Sequence, residues 1–302
     1  MNFRSNGKLL LTAEYLILDG ALGLAVPTKL GQSLKVTDAE GDLLHWENLD
    51  ENGKVWFHGV FNMQTATIVS STSKPIAEEL LRILAETTKL NPLFSLQGKA
   101  VICELEFPLN WGLGSSSTLR INLAKWADVS PFDLHRATSS GSGYDIAAGM
   151  AASPVLFSVS KGYNAEEIDY QPPFTDQLFF VYLNKKQKSD KEVASYSTLK
   201  RELDVNYASS AISALTHRFL KADDLEDFEL IIKEHELFMS LVLQRPTIKE
   251  TLFQDYELGE IKSLGAWGGD FILATGKSED LVRNYFREKG YQTVLSYSNL
   301  IV

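Results

Sequence analysis

The stretch Phe107 to Arg120, FPLNWGLGSSSTLR, constrains this 302-residue chain more than any other. Before it lies AVICELEF, an apolar run of strand character. After it comes STLRINLAKWADV, where Leu119, Leu123 and Trp126 recur at spacings of four and three, as on one helical face. A proline, two glycines and three serines must therefore turn a strand into a helix within a few residues. Glycine lets the backbone take positive φ and lets a ligand approach closely. The first N–H groups of a helix lack intrahelical partners and sit at the positive end of its dipole. Gly112, Leu113, Gly114, Ser115, Ser116 and Ser117 thus have the makings of a phosphate cradle. The hydroxyls of Ser115 and Ser116 can bond phosphate oxygens or ligate Mg²⁺. The same residues equally describe a tight turn and a helix N-capped by Ser115 to Ser117. No Gly-Lys-Ser/Thr follows the glycines, and their spacing is not G-x-G-x-x-G, so neither the Walker loop nor the dinucleotide fingerprint is present.

The surrounding pattern is α+β. GKLLLTAEYLILDG reads as two β-segments around a bend near Thr12 to Glu14, and LGLAVPTKLGQSLKVTDA and KVWFHGVF read as further strands. PIAEELLRILAETTKL reads as a helix opened by Pro75, with Ile76, Leu80, Leu81, Ile83 and Leu84 on one face. A short helix, a Gly/Ser loop, a small-residue helix and a strand follow as far as Val159. YQPPFTD, Tyr170 to Asp176, is the best hinge, which predicts one domain over 1–172 and another over 173–302. In the second, QLFFVYL is a strand. Helices are predicted near 190–202, 206–220, 225–243 and 278–289, and YQTVLSY is a last strand. Strands early and late with helices between give two α+β lobes.

Composition excludes some functions. The formal net charge of −10 argues against a nucleic-acid groove or a polybasic membrane patch, though a pocket can be locally positive. The single cysteine, Cys103, permits neither an intrachain disulfide nor a zinc cluster and suits a cytoplasmic protein. No window has the apolar length of a membrane span, and the N-terminus does not read as a signal peptide. The five histidines show no metal or triad spacing. The expected partner is a small molecule rather than nucleic acid or membrane, and the sequence allows a homodimer.

Two more glycine-rich turns change the weight of the first. TSSGSGYDIAAG, Thr138 to Gly149, sets Asp145 after Ser142 and Gly143, where a carboxylate can orient or deprotonate a hydroxyl. KSLGAWGGDF, Lys262 to Phe271, lies far off in sequence. Together the set resembles the small-molecule kinases grouped as galactokinase, homoserine kinase, mevalonate kinase and phosphomevalonate kinase (GHMP). GKLLLTAEYLILDGALGLAVP is similar to that family's first motif and PLNWGLGSSST to its phosphate loop. KSLGAWGGD is similar to the phosphomevalonate kinase version of its third.

The resemblance implies a two-lobed GHMP kinase fold, with an N-terminal mixed α/β lobe that binds ATP and a C-terminal ferredoxin-like α+β lobe. It implies ATP and Mg²⁺ as cofactors and phosphoryl transfer to a hydroxyl or phosphate acceptor, with phosphomevalonate or mevalonate favoured by the third motif. Lys8 and Asp145 match the catalytic lysine and aspartate, and Ser116 the Mg²⁺-ligating serine. Gly112, Leu113, Gly114, Ser115, Ser116 and Ser117 match the nucleotide loop. Glu14, Ser142, Gly143, Gly268 and Gly269 fall on the substrate side. Lys8, Arg120, Lys185, Lys186 and Lys188 are candidate cations for a phosphorylated acceptor. The departures are Ala13 and Trp267, where the family has glycine, and the second Mg²⁺ ligand. Counting back from Asp145, that ligand falls at Leu134, so it is either Asp133 in a shifted register or missing. A non-catalytic nucleotide-binding protein, a kinase for homoserine or a sugar, and an ATP-dependent decarboxylase on the same fold remain alternatives.

Overall fold

The structure, a computed structural model, describes residues 1–160, 162–185, 189–265 and 267–302. Two of the candidate cations, Lys186 and Lys188, lie outside the described residues. The chain divides into two compact units. One comprises residues 1–7, 30–109 and 113–150, the other residues 8–29, 110–112 and 151–302.

Strands β1 (Asn2–Leu10) and β2 (Gly23–Asp38) pair with each other and contribute residues to both units. The first unit adds β3 (Leu44–Leu49), β4 (Val55–Asn62), β5 (Thr67–Ser71), α1 (Lys74–Leu90) and β6 (Lys99–Leu105). Helices α2 (Ser115–Ala127), α3 (Pro131–Thr138) and α4 (Tyr144–Met150) complete it. The sheet order is β5-β4-β3-β6-β2, antiparallel except that β3 and β6 run parallel, with β4, β5 and α1 as the crossover between them.

Sequence alternation decides which face of this sheet is covered. In β6, Val101, Cys103 and Leu105 are buried while Ile102 and Glu104 are exposed. Val101 and Cys103 join Trp46, Phe57, Phe61, Leu80, Leu84, Leu123 and Trp126 in one apolar cluster. Pro75 opens α1 as expected, but the buried stripe is Ala77, Leu80, Ile83, Leu84 and Thr87; Ile76 is turned outward. Cys103 is a buried core thiol whose pKa is raised by desolvation, which makes it chemically inert.

The second unit contains β7 (Val155–Ser158), β8 (Asn164–Glu167), β9 (Leu178–Tyr182), α5 (Ser189–Leu199), α6 (Val205–Phe219) and α7 (Leu225–Leu243). Then come α8 (Ile248–Leu252), β10 (Ile261–Ser263), β11 (Phe271–Thr275), α9 (Glu279–Glu288), β12 (Val294–Ser296) and α10 (Tyr297–Leu300). A four-stranded antiparallel sheet, β10-β11-β9-β12, buries Phe179, Val181 and Ile272 against Phe253, Val282 and Phe286. The β-segment expected after Glu14 is instead a 3₁₀ turn, Leu16–Asp19. Ala13 and Tyr15 take positive φ (66° and 62°) and Gly20 closes the turn at 92°, which ends extended chain on both sides. No described helix is long and apolar enough to cross a membrane.

Gly31 marks the tightest approach of β2 to β1. A Cβ there would lie 2.1 Å from the Ser5 carbonyl oxygen, a backbone atom that cannot swing away. Gly31→Ala is expected to cost at least about 1–3 kcal/mol, the range for overpacking, as a lowered denaturation midpoint with unchanged slope. Wild-type stability in that variant would show that β1 can move aside.

Candidate functional site

The turn into α2 is built on Gly114, whose left-handed conformation (φ 96°) makes it the N-cap. The serines are not caps. Ser115, Ser116 and Ser117 are the first three helical residues, and Ser117 Oγ donates to the Gly114 carbonyl at 2.9 Å. Leu113, fully buried, anchors the turn. The first helical bond is Thr118 N–H to Gly114 O, 2.9 Å. The N–H groups of Ser115, Ser116 and Ser117 therefore have no helical acceptor and stand at the positive end of the dipole.

This first turn edges a cavity of about 290 Å³ in the first unit. Trp56, Ile76, Ile83 and Leu119 supply apolar wall, and Ser115 and Ser116 a polar rim. Trp56 Nε1 is buried with no acceptor among the described residues. An unpartnered buried donor is costly, and a ligand that accepts from it recovers that cost. Apolar walls, one indole N–H and a ring of helix donors suit a flat heterocycle carrying an anionic tail. Nothing in the sequence singles out Trp56, because its neighbours in this cavity come from four separate segments.

The loop bearing Asp145 lies in the same unit. Ser130 caps α3 by accepting from Asp133 N–H at 3.3 Å. The buried His135 ring meets the Gly141 carbonyl through Nε2 at 3.1 Å. Gly143, at φ 89°, turns the chain into α4. Ser142 is buried, and Asp145 is half-buried with Oδ1 accepting from Ile146 N–H at 3.1 Å. Helix α4 is seated on α2, with Gly149 against Ile121. Asp133, the alternative metal ligand, pairs with Arg136 on the surface of α3.

Arg120 ties these parts together. Its Nε donates to Thr138 Oγ1 at 2.8 Å, and Nη1 donates to both the carbonyl and the hydroxyl of Ser116. Nη2 donates to the Thr138 carbonyl at 3.2 Å and to Glu79 Oε1 at 3.4 Å. Arg82 reaches the same Thr138 carbonyl at 2.7 Å and also holds Glu79. Proposed from sequence as a cation for the acceptor, Arg120 is buried and fully engaged.

In the second unit, Lys8 Nζ donates to the Gly112 carbonyl at 3.1 Å. Gly112 takes φ 70°, and a Cβ there would lie 2.5 Å from the Asp270 carboxylate, so glycine is required twice over. Trp111 stands edge-on to Phe271, and Tyr182 donates to the Asn110 carbonyl at 3.0 Å. In the third glycine-rich turn Gly268 takes φ 77° with open space around it, and Gly269 follows before Asp270 at φ 51°. Lys185 is exposed, and its carbonyl accepts from Asp270 N–H. The Trp267 indole is buried, donating to the Pro246 carbonyl at 3.1 Å, so it fills the interior instead of narrowing the turn.

Glu14 is fully buried. Lys262 Nζ lies 2.6 Å from its Oε1, and His235 Nε2, which accepts from Ala13 N–H, lies 3.3 Å from its Oε2. Burial pushes the Glu14 carboxyl up against the pull of Lys262 and holds His235 well below its ordinary pKa, hence neutral. Glu236, which accepts from Ser263 Oγ at 3.0 Å, is raised to about 8 by burial.

No family model matches the chain, and no curated protein matches its sequence. Solved structures share its fold. L. major mevalonate kinase in complex with R-mevalonate aligns with TM-score 0.70 at 14% identity, over 98% of this chain and 94% of that one. Streptococcus pneumoniae phosphomevalonate kinase in complex with phosphomevalonate and AMPPNP gives 0.70 at 15%, over 98% and 99%. Lactococcus lactis galactokinase complexed with galactose gives 0.70 at 14%, over 98% and 92%.

Glu236 binds a proton in the folded state at pH values where the unfolded chain has released it. Its stabilisation is present below about pH 4.5 and is lost as pH rises through about 8. Glu236→Gln should match wild type near pH 5 and melt at least about 2–4 °C higher at pH 8.5. Thermal melts at the two pH values check this, and a constant difference would show that Glu236 does not titrate there.

The end-to-end alignments and the two α+β units give this chain the GHMP kinase fold, the fold of the mevalonate, phosphomevalonate and galactose kinases.

Proposed function

We propose that this chain is an ATP-dependent small-molecule kinase that moves the γ-phosphoryl group of ATP to a hydroxyl or phosphate acceptor. Phosphomevalonate or mevalonate is the favoured acceptor. The observation that carries the reading is the first turn of α2, where Ser115 and Ser116, their N–H groups without helical acceptors, edge a cavity sized for a heterocycle. The fold shared with kinases of three acceptors supports phosphoryl transfer, and the third motif favours the phosphomevalonate branch.

Each group then has a role. The cavity takes the base, with Trp56 Nε1 donating to a ring nitrogen. The N–H groups of Ser115, Ser116 and Ser117 take phosphate oxygens. The Lys8 ammonium offsets charge on the group in transfer, and Asp145 aligns the nucleophile. An alcohol needs that carboxylate as a base. A phosphomonoester, with a second pKa of about 6, arrives mostly ionised and needs it for orientation. Ser142, Gly143, Gly268 and Gly269 are assigned to the acceptor side. Glu14, held inside by Lys262, acts there through the position of its turn.

The residues do not fit a Mg²⁺ ion held by the protein at Ser116. The Ser116 hydroxyl already accepts from a guanidinium, and the described residues hold no cluster of three acidic, histidine or cysteine ligands.

Purified protein given Mg·ATP and a panel of mevalonate, phosphomevalonate, homoserine and sugars should release ADP with one of them. Asp145→Asn should lower kcat by about 10²–10⁴, the usual weight of a positioned acid–base group, with little change in ATP affinity. Nucleotide binding without turnover on any acceptor would favour a non-catalytic binding protein. Unchanged turnover in Asp145→Asn would remove that residue from the reaction.

A further inference from the structure

We propose that Ser116 serves as a hydrogen-bond donor to a phosphate oxygen, not as a metal ligand, and that Arg120 is the positioning residue that holds it in this role. The inference rests on the nucleotide reading above and goes beyond it by assigning how the anion's charge is met.

A guanidinium has five N–H donors, no acceptor, and no accessible neutral form. In Arg120 the five go to Thr138 Oγ1, the Ser116 carbonyl, Ser116 Oγ, the Thr138 carbonyl and Glu79 Oε1. The side chain is 7% exposed, so these bonds are made away from bulk water. One face of Ser116 Oγ is thereby committed as an acceptor. Its own proton must point away from the guanidinium, and no acceptor for it is found among the described residues. Ser116 is exposed and lies on the rim of the cavity, so that proton is presented to whatever occupies the rim.

Charge runs the same way. Arg120 and Arg82 share the Glu79 carboxylate, whose pKa the Arg82 hydrogen bond, with the charges of both guanidinium groups, holds below its ordinary value. The Arg120 guanidinium, buried and bonded to Ser116, places a cation against the first turn of α2, beside the positive end of its dipole. A divalent cation on Ser116 Oγ would face the guanidinium across a single oxygen atom. A phosphate group there meets the Ser116 hydroxyl and the N–H groups of Ser115 and Ser116, all donors.

Ser116→Ala, Ser116→Cys and Arg120→Met variants of the full chain can be titrated calorimetrically with ATP, and with tripolyphosphate as the bare anion, in Mg²⁺ and in EDTA. Ser116→Ala is expected to weaken both ligands about tenfold or more, by the same factor in either buffer, as loss of a hydrogen bond to a charged group does. Ser116→Cys should show no recovery of affinity on adding Cd²⁺. Arg120→Met should make the affinity for ATP more dependent on Mg²⁺. A Ser116→Ala loss confined to Mg²⁺, or Cd²⁺ rescue of the cysteine variant, overturns the inference and leaves the kinase reading standing. So does unaltered affinity in Ser116→Ala. Failure of the wild type to bind either ligand overturns both. Should Arg120→Met not fold, as judged by circular dichroism, the serine variants decide the matter alone.

Discussion

A helix that begins without a side-chain cap is the constraint on which the first unit depends. Gly114 starts α2 in a left-handed conformation that serine or aspartate would not adopt cheaply, and it brings no side-chain oxygen to the N–H groups that follow. A serine or aspartate N-cap is worth about 1 kcal/mol. That stabilisation is forgone at a helix whose body is otherwise locked in place, with Ile121, Leu123 and Ala124 buried completely. The donors of Ser115 and Ser116 are left at the rim of an apolar cavity. Local instability is thus confined to a spot where an anion can relieve it, while the core behind keeps the turn from relaxing.

The second unit makes the opposite trade. Lys262 and Glu14 are taken wholly out of water and joined at 2.6 Å, with the neutral His235 and Glu236 beside them. Such a pair adds little net stability over apolar residues, yet losing one partner costs about 3–5 kcal/mol because the other charge is stranded. Its consequence is positional. The turn around Glu14 holds Ala13 and Tyr15 at positive φ, each a strain of order 1–3 kcal/mol. The ion pair pins that turn to β10 and hence to the start of the third glycine-rich loop. Tyr15 completes the join by accepting from Trp267 N–H at 2.9 Å.

Periodic features were legible in the sequence and pairings between distant residues were not. Helix α7 spans the predicted Leu225 to Leu243, because its apolar residues repeat and Asp224 caps it by accepting from Asp227 N–H. The glycine-rich entry to α2 was legible for the same reason, a change of period across a turn. Its cap was not legible, since serine preference is a local statistic and the glycine's backbone conformation decides the cap instead. Tyr15 to Asp19 looked like a strand because LIL is apolar, but burial, not extension, explains those residues; Leu16 and Ile17 face inward from a 3₁₀ turn. Arg120 stands four residues after Ser116, a spacing that puts the two on one helical face. That signal was available and pointed to this contact. The Glu14–Lys262 pair spans 248 positions and has no periodic signature at all.

An acidic chain that receives a polyphosphate must solve an electrostatic problem locally. The formal charge of −10 sets a repulsive background, but in physiological salt charges more than about 8 Å away are largely screened. Buried groups escape that screening. Arg120, a buried residue of α2, acts at close range with little screening by solvent, whereas surface pairs such as Lys74 with Glu78 contribute little to anything. Unit charges about 4 Å apart exchange about 4 kcal/mol at the effective dielectric of a protein surface, enough to decide which sign a small site accepts. A fixed guanidinium that has given every proton to protein oxygens cannot reach out to the ligand. It sets the orientation of Ser116 and adds positive potential there. Both favour an anion met by donors already in place, in a protein whose overall charge gives no hint of it.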